Sequence, residues 1–116
     1  GLNGWDEPTP ASNFELFDVR EGSISHRIID PSEYGIKKCK EEDLKGGTSE
    51  VNAEALIKVF EGKDKSAHED ALILNAGLAL QVSGEAKELS DGIEIAKETI
   101  NSGKAEDFLS SLRNNE

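Results

Sequence analysis

Ser66-Ala67-His68-Glu69-Asp70-Ala71-Leu72-Ile73-Leu74-Asn75-Ala76-Gly77-Leu78-Ala79-Leu80-Gln81-Val82-Ser83-Gly84 is the stretch that decides the fold. It opens on the S-x-x-E pattern of a capping box, in which Ser66 and Glu69 would satisfy exposed backbone donors reciprocally. It then runs apolar on nearly every side to Val82 and stops at Gly84. A helix without a polar face belongs in the middle of a core, so this is expected to be the central buried helix. Two residues break the run. Asn75 must find hydrogen-bond partners if buried, and so is expected to fix packing against a strand end or to line a pocket. Gly77 gives up about 1 kcal/mol of helix propensity relative to Ala, which points to close approach by another backbone.

Further helices flank it. Ser49 to Glu61 carries apolar residues at 51, 55, 56, 59 and 60, a helical stripe that Gly62 terminates. Ser90 is expected to cap a third helix to about Asn101, with Ile93, Ala96 and Ile100 facing inward and Gly103 as its stop. A short last helix places Phe108, Leu109 and Leu112 on one side, before the polar tail Arg113-Asn114-Asn115-Glu116. Upstream, residues 36 to 48 form a polar, lysine-rich connector ending in Gly46-Gly47-Thr48. The first third reads differently. Phe14 to Val19 and Ser23 to Ile29 alternate like strands around the glycine turn Arg20-Glu21-Gly22-Ser23, which makes a β-hairpin. Asp30-Pro31-Ser32-Glu33-Tyr34-Gly35 closes it. Residues 1 to 12 are loop-like, with Pro8 and Pro10 favouring extended backbone before them. The expected fold class is α/β, or α+β for the segment in isolation: a β-hairpin followed by about four helices.

At 116 residues the chain has the size of one small domain. Thirteen basic residues against 24 acidic ones give a net charge of -11, a field that repels nucleic-acid backbones and anionic lipid. A phosphorylated substrate would need a divalent cation or a local basic pocket. The single cysteine, Cys39, rules out an internal disulfide and is compatible with a reducing cytoplasm. The longest apolar run, Ala71 to Leu80, is too short to cross a bilayer. The start, Gly1-Leu2-Asn3-Gly4-Trp5, has neither an initiator Met nor a signal-peptide layout, and is expected to have been cut from something longer.

The carboxylate pair Asp6-Glu7 is the most informative chemical feature. It sits in a loop between Gly4 and Pro8, where both side chains can reach one hard cation such as Mg²⁺. Spacing alone makes it half a site at best, since Glu41-Glu42 and Glu69-Asp70 are also adjacent acids. Cys39, among Lys37, Lys38 and Lys40, is expected to be a surface thiol whose lysine neighbours favour thiolate. His26 reads as a strand residue and His68 as a first-turn helix residue. Gly46-Gly47-Thr48-Ser49 reads as a loop and N-cap. No Gly-rich phosphate loop, nucleophile elbow, paired C-x-x-C or H-E-x-x-H is found, so no residue of the chain is assigned a catalytic role.

Several blocks, in order, resemble the carboxy-terminal part of anthranilate phosphoribosyltransferase. They are Gly1 to Glu7, Asp30 to Ile36, Asn52-Ala53 with Phe60-Glu61-Gly62-Lys63, Leu74 to Leu80, Asp91 to Ala96 and Ile100 to Ala105. The resemblance covers essentially the whole chain. It implies transfer of the ribose 5-phosphate group of phosphoribosyl pyrophosphate to the amine of anthranilate, releasing pyrophosphate, in the tryptophan biosynthesis of the cytoplasm. It implies that Asp6 and Glu7 match the family's Mg²⁺-holding pair. It implies an amino-terminal helical domain and a Gly-rich loop, both outside this chain, as its partners, and a homodimer for the full-length enzyme. The isolated segment would then be inactive. One departure is plain: Pro8-Thr9 stands where a β-branched residue and Ser are usual, so the hydroxyl is kept while Pro8 bears on the loop's path. A pyrimidine nucleoside phosphorylase and a non-catalytic acidic interaction module are the alternative readings.

Overall fold

In the computed structural model, residues 1–114 are described; Asn115 and Glu116 of the expected tail lie outside them. The elements are β1 (Phe14–Arg20), β2 (Ser23–Ile29), α1 (Ser49–Phe60), α2 (Ala67–Ser83), α3 (Leu89–Asn101) and α4 (Lys104–Arg113). The hairpin followed by four helices is therefore borne out. Two short 3-10 turns, Pro31–Tyr34 and Glu41–Leu44, also occupy segments that read only as connectors.

The apolar run around Leu74 does form the central helix. Ile73 and Leu74 of α2 join Leu89, Ile93, Ala96 and Ile100 of α3 in one buried cluster with Val59 of α1. Full burial of each Leu or Ile contributes roughly 1.5–3 kcal/mol, so the α2–α3 contact is the main source of stability. Its close approach depends on two glycines. A Cβ on Gly77 would lie 2.8 Å from Cγ1 of Ile93, and one on Gly92 would lie 2.2 Å from the carbonyl oxygen of Gly77. Gly77 thus does what its helix-breaking character foretold, and Gly92 is its unforeseen partner.

The strands pair antiparallel from Phe14↔Ile29 to Arg20↔Ser23, leaving Glu21-Gly22 as a two-residue loop in which Gly22 takes φ +75°. The hairpin is anchored near its base: Phe14 and Ile29 are buried with Ile36 in the core, and Leu16 packs against it. Residues opposite each other share a face. The face bearing Phe17, Val19, Ile24 and Ile28 is open, with exposures of 57, 70, 72 and 60 %. On it Phe17 stacks on His26 with ring centroids 4.3 Å apart. Because the hairpin projects, the radius of gyration is 15.0 Å, where a compact domain of about 100 residues has about 13 Å.

Some local readings need correction. The Ser66–Glu69 capping box does not form. Ser66 accepts from the His68 N–H at 3.3 Å, but Glu69 accepts from Lys65 Nζ at 2.9 Å. Asp64 accepts the Ser66 N–H in its place at 2.8 Å. Lys65 also donates to Asn101 at 3.0 Å, so a tertiary contact draws Glu69 away. Nor does Ser90 cap α3. That helix starts at Leu89, and the N–H of Glu88 donates to Asp91 at 3.1 Å. The α1 stripe is only half used: Val59 is buried while Val51 and Leu56 are exposed. On α4, Phe108 and Leu112 likewise stay exposed. The central helix is itself open at its end, where Val82 faces solvent.

Candidate functional site

The loop carrying Asp6 and Glu7 is held from both ends. At its base the Leu2 N–H donates to the Asn13 carbonyl at 2.8 Å, and Asn3 donates to Glu41 at 2.9 Å. On the far side Thr9 and Pro10 are buried, and Thr9 Oγ1 accepts from the Ala11 N–H at 3.1 Å. Between these anchors, Nδ2 of Asn75 donates to the Pro8 carbonyl at 2.9 Å and to the Ala71 carbonyl at 2.9 Å. Of the two expectations for Asn75, the pocket one holds, since it lines a groove; its packing partner is the Pro8 loop rather than a strand end.

That groove, about 460 Å³, runs between the loop, the 3-10 turn at 41–44, α1 and α2. Leu56, Val59 and Leu72 give it apolar walls, while Glu7, Asn52, His68 and Asn75 supply its polar groups. No Lys or Arg lines it. A phosphate could be held there only through a cation or through groups from elsewhere. Asn52 is occupied in shaping the glycine loop: it accepts from the Gly47 N–H at 2.8 Å and donates to the Gly47 carbonyl at 3.3 Å. Thr48 caps α1 through the Val51 N–H at 3.4 Å, as a loop and N-cap should.

Asp6 and Glu7 are both exposed and enter no ion pair among the described residues. Among these residues no group of three or more His, Cys, Asp or Glu side chains comes together to hold a metal. Two unpaired carboxylates fit a Mg²⁺ that keeps waters among its other ligands, and do not fit a cage made by protein alone. The remaining candidates lie apart. Cys39 is half-buried, and burial, reinforced by Asp43 and Asp70, pushes its thiol pKa up. The expected drift toward thiolate is therefore reversed. His26 sits on the open hairpin face, and His68 lies in the first turn of α2.

Residues 1–106 match the family model described as glycosyl transferase family, a/b domain, and the chain belongs to that family. Among individual proteins, it is 44 % identical over 103 residues to anthranilate phosphoribosyltransferase of Brucella ovis, and the same holds for that of Brucella abortus. This alignment covers 89 % of the chain, which spans about 30 % of the length of these curated relatives. The crystal structure of anthranilate phosphoribosyltransferase from Thermus thermophilus superposes with a TM-score of 0.80 at 31 % identity, over 93 % of this chain and 32 % of that one. The Saccharomyces cerevisiae enzyme in complex with 4-fluoroanthranilate gives 0.81 at 24 % identity, over 90 and 31 %, which speaks to the fold alone. Among the described residues, no helix is long and apolar enough to cross a membrane.

Proposed function

We propose that residues 1–116 form the carboxy-terminal segment of the α/β domain of an anthranilate phosphoribosyltransferase, and that Asp6 and Glu7 are its contribution to a Mg²⁺ site. The observation that carries this is the pair itself: two exposed, unpaired carboxylates on a loop pinned by Asn75 and by buried Thr9, beside a groove without cations. Likeness to the Brucella enzymes over 89 % of the chain supports the choice of reaction. The parent enzyme would transfer the phosphoribosyl group of phosphoribosyl pyrophosphate to anthranilate, in the tryptophan biosynthesis of the cytoplasm, as a homodimer.

A bound Mg²⁺ would neutralise the pyrophosphate leaving group, which a chain of net charge -11 would otherwise repel. The chain's own part is to present Asp6 and Glu7 in a fixed place and to wall the groove with Leu56, Val59 and Leu72. Contacts to phosphate and to anthranilate would come from the remainder of the enzyme.

The test mixes the chain with the amino-terminal portion of the Brucella ovis enzyme, phosphoribosyl pyrophosphate, anthranilate and increasing Mg²⁺. Restored transfer that disappears with Asp6→Ala and Glu7→Ala supports the reading. A complex that forms equally well with both substitutions, yet never turns over, would make the chain a binding module. Cleavage of pyrimidine nucleosides by inorganic phosphate would instead reassign the substrate.

A further inference from the structure

We propose that Asn75 is the positioning residue of the Asp6-Glu7 loop; this rests on the metal-holding role given to that pair. Asn75 lies in the middle of the most apolar helix, next to fully buried Leu74. Asn is a poorer helix former than Ala, and its half-buried side-chain amide has to find partners at the groove wall. Both needs are met in one way. Nδ2 spends one N–H on the Ala71 carbonyl of its own helix and the other on the Pro8 carbonyl, 67 residues away, each at 2.9 Å. The Ala71 bond fixes the direction of the amide, and the Pro8 bond transfers that direction to the loop.

The loop is built to receive it. Pro8 has a ring-fixed φ, so only one backbone torsion, its ψ, separates the pinned carbonyl from the peptide joining it to Glu7. Thr9, on the other side, is buried and accepts from the Ala11 N–H. The Glu7 carbonyl accepts from the Gly1 amino group at 3.4 Å, while the Asp6 and Glu7 side chains are exposed and can turn toward a ligand. The helix that aims Asn75 is in turn held by the Gly77–Gly92 contact two residues further on. Pro8, the departure from the family pattern, works with Asn75: ring and hydrogen bond together hold the pair ready for a cation.

The probe is Mn²⁺ titrated into the 116-residue chain, read as paramagnetic broadening of the backbone amide signals of Asp6 and Glu7. The unsubstituted chain should broaden selectively at these residues. Asn75→Ala should need about tenfold more Mn²⁺ for the same broadening, the scale on which outer-shell partners act, while its thermal midpoint holds or rises because Ala favours helix. Asn75→Asp keeps the size but removes the donor, and should weaken broadening at least as much. Asn52→Ala, which cuts hydrogen bonds at the same groove without touching the loop, should leave the titration unchanged. In the unsubstituted chain, diamagnetic Mg²⁺ should shift the Asn75 side-chain amide signals with the same midpoint as those of Glu7, a readout that needs no variant. Selective broadening that is unaltered in Asn75→Ala or Asn75→Asp, or Asn75 signals indifferent to Mg²⁺, would overturn the positioning role and leave the metal role standing. Absence of selective broadening in the unsubstituted chain would remove both.

Discussion

Replacing Gly92 by alanine strikes the contact on which the helical core depends. The new methyl would sit 2.2 Å from the Gly77 carbonyl oxygen and 2.9 Å from its carbon, where ordinary contact begins at 3.4 Å. Both neighbours are backbone atoms, so no side chain can swing aside. Helices α2 and α3 must part by about 1 Å, and a gap of that size forfeits roughly a quarter to a half of the dispersion attraction across the contact. Overpacking of this kind costs about 1–3 kcal/mol, and the rigid neighbour puts Gly92 at the upper end or beyond. Alanine returns about 1 kcal/mol of helix propensity. The net expectation is a loss of about 2–3 kcal/mol, or about 10 °C in thermal midpoint for a chain of this length. The assay is thermal unfolding followed by circular dichroism, beside Gly62→Ala as control. Gly62 has φ +68° with open space around it, so its alanine carries only backbone strain of about 1–2 kcal/mol. A Gly92→Ala chain at least as stable as the Gly62→Ala chain would refute the close-approach reasoning.

The remaining predictions concern charge and reactivity. The Asp30 carboxyl is held down to about 2, from an ordinary 3.8, by the Ser32 hydroxyl and N–H and then by Lys38. Its folded pKa is depressed, so its stabilisation is present above pH 3.8 and is lost as pH falls toward 2. Asp30→Asn should flatten acid unfolding across that window, measured as denaturation midpoints against pH. Cys39, raised by burial and by Asp43 and Asp70, should react with a disulfide reagent at pH 7 more slowly than free cysteine, and Asp43→Asn should speed it. Asp6→Ala with Glu7→Ala should leave the unfolding transition in place, since both side chains are exposed, while abolishing the Mg²⁺ dependence of any transfer restored by an amino-terminal portion.

Much of the fold was legible because it rests on local chemistry. Alternation on both sides of Gly22 gives the hairpin, whose two-residue loop needs a left-handed glycine. Gly62, Gly84 and Gly103 mark helix ends with positive φ. What stayed hidden depends on partners distant in sequence. Glu69 leaves its expected cap because Lys65 is also drawn to Asn101 at the end of α3. Gly92 carries no signal of its own in the sequence; its role shows only when Gly77 is placed against it. Cys39 has lysines beside it in sequence, yet burial, Asp43 and Asp70 decide its pKa. At the candidate site, Asp6 and Glu7 stand out by residue type and family pattern, and the need of Asn75 for partners is legible in its apolar surroundings. That its partner is the Pro8 carbonyl, which joins these features into one device, no spacing could have told.

One measurement bears on the central claim most directly. This chain replaces the matching third of the Brucella ovis enzyme, and consumption of anthranilate by the purified, folded chimera is followed by loss of its fluorescence. The account predicts consumption that requires phosphoribosyl pyrophosphate and Mg²⁺, and that is abolished by joint Asp6→Ala and Glu7→Ala substitution. A folded chimera without turnover, or turnover undiminished by the double substitution, would contradict it.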